Sequence, residues 1–121
     1  MKLKTISLCG LFASFNSLAG ALICTGTVDE LAFHSNDRFM VKLSSMNAPV
    51  FFCNSEKAWT VDGAPDITSP ETCKMLYSSF LAAKAAKTHI PRLHIEGVQV
   101  PSDCNRFAPW SGVSIRYVKF E

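Results

Sequence analysis

Cysteine constrains this chain more than any other residue type. There are five in 121 residues, an odd number, and one of them stands apart from the rest. Cys9 lies in a leader whose composition differs from that of the remaining chain. Met1 to Thr5 carries Lys2 and Lys4, and Ile6 to Phe15 is uncharged and apolar apart from Ser7 and Ser14. Asn16-Ser17-Leu18-Ala19 closes the segment, with small residues at both positions a signal peptidase reads. This order is that of a secretory signal peptide, residues 1–19, cleaved after Ala19 or, through Ala19-Gly20-Ala21, after Ala21. An uncleaved anchor is the rival reading, but an apolar run of about ten residues is too short for the ~30 Å hydrocarbon core. Lipid attachment is excluded because Ile23 precedes Cys24 and Leu8 precedes Cys9, where a small residue is needed.

Removing 19 of 121 residues leaves 102 and takes Cys9 away. It also removes two of the 12 Lys and Arg and none of the 10 Asp and Glu, so a net charge of +2 becomes zero. Cys24, Cys53, Cys73 and Cys104 remain. An even number in an exported chain reads as two disulfides. With no CxxC pair, neither a zinc ribbon nor a thioredoxin-type redox site is indicated. Four cysteines allow three connectivities, and spacing alone does not choose among them. Element placement favours Cys53–Cys73, a strand end against a helix start, and Cys24–Cys104, the first strand against the last long loop.

Residues 20–121 read as a single domain. Thr25 to Phe33 is a strand, His34-Ser35-Asn36-Asp37 a turn, and Arg38 to Ser44 a second strand with Phe39, Val41 and Leu43 on one face. Val50-Phe51-Phe52-Cys53 is a short strand buried on both faces, and Lys57 to Val61 extends or repeats it. Ser69 and Pro70 start a helix, Glu71 suits its positive end, and Thr68 with Glu71 has capping-box spacing. Cys73, Leu76, Tyr77, Phe80 and Ala83 form its apolar stripe, and Pro91 prevents continuation. Leu93 with Ile95, and Val113 with Ile115 and Tyr117, mark two further strands. The order β-β-β-α-β-β is that of the OB-fold, a five-stranded, partly open barrel. Another small α+β sandwich with the same order is the alternative.

The strand pair Val28–Phe33 and Phe39–Leu43, the strand end Phe51-Phe52-Cys53 and the cysteine-bearing helix Glu71–Lys87 leading into Leu93–Ile95 resemble the exported OB-fold binding subunits of bacterial AB5 toxins, in the subtilase-cytotoxin and pertussis-like branch. The helix start Thr72-Cys73-Lys74-x-Leu76-Tyr77-Ser78 is similar to that of small exported bacterial proteins of unknown role. The toxin resemblance implies an OB fold, export and glycan recognition by a ring of identical subunits. It carries over no binding residue, and it departs at Cys73, which lies on the helix, whereas the toxin branch links neighbouring strands.

Catalytic chemistry is not indicated. His34, His89 and His94 fall on a turn, a helix end and a strand, with no shared metal-ligand face. There is no G-x-S-x-G elbow, and bridged cysteines offer no thiolate. Asp29 and Glu30 point to opposite faces of a strand, and Asp62, Asp66, Glu96 and Asp103 form no evident acid–base pair. No cofactor motif occurs, and a neutral exported chain does not suit nucleic acid. The informative segment is Asp103-Cys104-Asn105-Arg106-Phe107-Ala108-Pro109-Trp110. Asn105, Arg106, Phe107 and Trp110 suit sugar or peptide recognition, with Trp59 beside Lys57 as a second candidate. Phe107 and Trp110 could equally plug a barrel end. The expectation is therefore a non-enzymatic, exported or periplasmic binding module for a glycan or envelope component, with a homo-oligomer as its toxin-like form. The alternative is a periplasmic inhibitor of a lysozyme or protease that inserts the Asn105–Trp110 loop; a purely structural role is the third reading.

Overall fold

The computed structural model describes residues 20–121; the signal peptide read at residues 1–19 lies outside the described residues. The elements are β1 (Gly20–Gly26), β2 (Val28–His34), β3 (Arg38–Leu43), β4 (Val50–Asn54), α1 (Pro70–Ala86), β5 (Ile90–Gly97) and β6 (Ser114–Lys119). They form two antiparallel three-stranded sheets, ordered β1-β5-β6 and β2-β3-β4, with one helix. No helix among the described residues is long and apolar enough to cross a membrane.

The expected five-stranded barrel is corrected on two points: there are six strands, and the sheets do not close into one. The first correction has a local cause. The expected strand from Thr25 begins at Gly20 and breaks at Thr27, where the chain leaves β5 and joins β3. Gly26 adopts φ +129°, which is open to glycine and strained for other residues. Ser44 pins the corner: its N–H donates to the Thr27 carbonyl at 2.9 Å, and its Oγ accepts from the Thr27 N–H at 3.1 Å. A Cβ at Gly26 would collide with the Ser44 side chain. Gly26→Ala is therefore expected to cost about 2–3 kcal/mol, combining backbone strain with the clash. Urea unfolding checks this, and a change under about 0.5 kcal/mol would contradict this role for the corner.

The sheets meet along one seam. The Phe51 N–H donates to the Ser111 carbonyl, and the Val113 N–H donates to the Phe51 carbonyl, both at 2.9 Å. The seam runs parallel, Phe51 opposite Gly112. The core lies between the sheets and under α1, with Val41, Leu43, Phe52, Phe80, Leu93 and Ile95 fully buried.

α1 starts where its local chemistry dictates. Ser69 Oγ accepts from the Thr72 N–H at 3.2 Å and Pro70 takes the first position. Lys87 ends the helix in the left-handed region. Cys73, Phe80 and Ala83 are buried along the expected stripe, with Leu76 and Tyr77 partly so. The Thr68–Glu71 capping box does not form, because the Thr68 backbone pairs with Trp59 instead. That pairing is also all that remains of the strand read at Lys57–Val61, a single bridge. The disulfides are Cys24–Cys104 and Cys53–Cys73, the pairing favoured by element placement.

Candidate functional site

Alternation along β2 puts Glu30, Ala32 and His34 on one face. Their cross-strand partners on β3 are Lys42, Met40 and Arg38, and Met40 in turn faces Phe51 on β4. This is the outer face of the sheet, yet Met40 and Phe51 are buried. The loop between β5 and β6 covers them. Trp110 lies on Phe51 with ring centroids 6.0 Å apart and planes at 25°, and meets the His34 ring edge-on at 5.4 Å. The Arg38 guanidinium sits 4.3 Å from the Phe51 centroid.

Between this loop and the sheet runs an open groove of about 370 Å³. Its floor is Ala32, Met40, Ala48 and Pro49, one wall is Pro109 and Trp110, and Glu30 and His34 supply its polar groups. The size falls in the small-ligand range, and an apolar lining with few polar groups is usual for such sites.

Trp110 is 66% exposed and has φ 64°. A bulky side chain in the left-handed region is strained by about 1 kcal/mol or more. The next residue fixes that conformation. Ser111 is buried, its Oγ donates to the Ala108 carbonyl at 2.7 Å, and its carbonyl accepts from Phe51 in the seam.

The other residues singled out in the sequence go elsewhere. Phe107 is buried in the core, taking the plugging role. Its backbone is held by Asn47, whose Nδ2 donates to the Phe107 carbonyl at 2.9 Å and whose Oδ1 accepts from the Phe107 N–H at 2.8 Å. Trp59 is partly buried, and its Nε1 donates to the Val113 carbonyl at 2.9 Å. Asn105 and Arg106 are exposed and do not line the groove. Of the five candidates, only Trp110 reaches it. In the sequence Glu30 reads only as a strand carboxylate and His34 only as a turn histidine; alternation along β2 groups both with Ala32, and Met40 joins them as the cross-strand partner of Ala32.

Two sets of ionisable groups pair with one another outside the groove lining. Glu96 is largely buried on β5, with Oε1 3.2 Å from Arg116 Nη1 and 3.4 Å from His94 Nε2. Asp29 pairs with Lys42 at 3.2 Å. Among the described residues no group of three His, Cys, Asp or Glu is placed to hold a metal ion. No family model, no curated protein and no solved structure matches the chain.

Proposed function

We propose that this chain is an exported, non-enzymatic binding module that recognises carbohydrate in the groove beneath Trp110, on an opened OB-like barrel. The fold reading counts β1 and β2 as one bent strand. The neighbour order is then β4, β3, that strand, β5 and β6, with α1 between the third and fourth strands, and the barrel is open between β4 and β6, where only the Phe51–Gly112 bridge ahead of β6 joins the two edges. OB-folds bind oligosaccharides on the face of their second and third strands, using the loop between the fourth and fifth. In this chain those are β3, β4 and the loop carrying Trp110.

The observation that carries the functional reading is Trp110 itself. A large aromatic is held in strained backbone and left mostly in water, beside a concave apolar floor. Strain of this kind clusters at binding and active sites, and a flat aromatic face suits the C–H face of a pyranose. Two disulfides fit an oxidising compartment. In its toxin-subunit form the proposal includes a ring of copies, for which light scattering reads a multiple of the monomer mass; a monomer removes that form.

A second reading, enzyme inhibition, draws on the Asn105-Arg106 tip. It is exposed between the Cys24–Cys104 disulfide and the Asn47 clamp on Phe107, and such rigidity lowers the entropy cost of binding. One experiment separates the two readings. The mature protein is applied to a glycan array, and in parallel to a muramidase and a trypsin-like protease. Glycan hits that disappear in Trp110→Gly are expected. An empty array, with inhibition lost in Arg106→Ala, would replace the carbohydrate reading by the inhibitor reading.

A further inference from the structure

We propose that the groove selects sugars bearing an acetamido group, an N-acetylhexosamine being the simplest. This rests on the carbohydrate reading above and names the ligand class for the same site.

A pyranose stacked on Trp110 uses its C–H face, and the substituents along one ring edge then point into the groove. Ala32, Met40, Ala48 and Pro49 offer side chains with no hydrogen-bonding N or O atom there. A hydroxyl pressed against that floor loses water and gains no partner, whereas a methyl group gains burial. Ala32 and Ala48 are small enough to leave space for it.

The polar groups match the rest of an acetamido group. Glu30 and His34 flank Ala32 on the same face of β2, with Cα atoms about 13 Å apart by strand rise, and both line the groove. The Glu30 carboxylate is acceptor-only and suits an amide N–H, while a His34 ring N–H suits the amide carbonyl. The carboxylate is also available. Its cross-strand neighbour Lys42 is committed to Asp29 at 3.2 Å, and among the described residues Glu30 makes no ion pair. A methyl, a donor and an acceptor thus meet an apolar floor, an acceptor and a donor. A deoxy sugar would satisfy the floor alone, and a plain hexose, whose hydroxyls donate and accept, the polar pair but not the floor.

The test titrates the disulfide-intact mature protein with diacetylchitobiose, with cellobiose, which carries hydroxyls at the same positions, and with fucose, following tryptophan fluorescence and calorimetry. Diacetylchitobiose is expected to bind at least ten-fold more tightly than either comparison sugar. Ala32→Leu, which fills the floor, is expected to lower diacetylchitobiose affinity at least ten-fold and to narrow its preference over cellobiose. Glu30→Ala, an exposed change that leaves the core intact, is expected to lower it about three- to ten-fold. Cellobiose binding as tightly as diacetylchitobiose would overturn the acetamido inference and leave the carbohydrate reading standing. No response to any of these sugars, together with an empty glycan array, would overturn both. Peptidoglycan disaccharide and N-glycan core fragments, which share the acetamido group, then separate an envelope source from a glycoprotein source; binding to either supports the inference.

Discussion

Replacing Cys24 and Cys104 together by alanine is expected to lower the stability of the domain by about 4–5 kcal/mol. The bridge joins residues 80 apart in sequence, against 20 for Cys53–Cys73. In the chain-entropy account the longer closure restricts the unfolded chain more, by about 1 kcal/mol here. Domains of this size have net stabilities of about 5–15 kcal/mol, so the loss takes a large share of the total. The consequence extends beyond stability. Cys104 opens the loop that runs through Phe107 to Trp110, so the double variant also releases one anchor of the groove wall. Urea unfolding of oxidised wild type against the double variant measures the effect. A difference below about 1 kcal/mol would show that this bridge does not constrain the unfolded chain as loop closure requires.

Trp110→Gly is expected to separate binding from folding. The substitution removes the stacking surface, and a central aromatic contact is typically worth about 2 kcal/mol or more, some thirty-fold in affinity. Stability is expected to move by less than about 1 kcal/mol, because two terms oppose each other. The contact with Phe51 is lost, while glycine relieves the strain of φ 64°. Trp59→Ala should behave in the opposite way. Trp59 is partly buried with its indole N–H on Val113, so its loss costs about 3 kcal/mol of stability with no role in the groove. Thermal melts beside titrations read both quantities. If Trp110→Gly unfolds the protein while its ligand affinity survives in the folded fraction, Trp110 is a cover for the sheet and not a recognition residue.

What was legible in the sequence was legible for local reasons. Ser69-Pro70-Glu71 declares a helix start within three residues, and Val50 to Cys53 reads as a buried strand from its own apolar run. The break at Thr27 was not legible, because it depends on Ser44, far along the chain. The start at Gly20 was obscured because Gly20 and Ala21 read equally well as part of the cleavage box Ala19-Gly20-Ala21. The site divides in the same way. Trp59, Phe107 and Trp110 are all large aromatics in the sequence, and only tertiary placement makes one a hydrogen-bonded packing residue, one a plug and one an exposed platform. Glu30, Ala32 and His34 could have been grouped by strand alternation. That a loop some seventy-five residues later lies over them could not.

The most direct measurement is an amide and indole chemical-shift map of the mature protein during addition of an array-selected glycan. Perturbations are expected at the Trp110 indole and at Glu30, Ala32, His34, Met40 and Ala48, with Trp59 and the Asn105-Arg106 tip unmoved. Perturbations centred on Trp59 or on Asn105-Arg106, with the Trp110 indole silent, would contradict recognition in the groove.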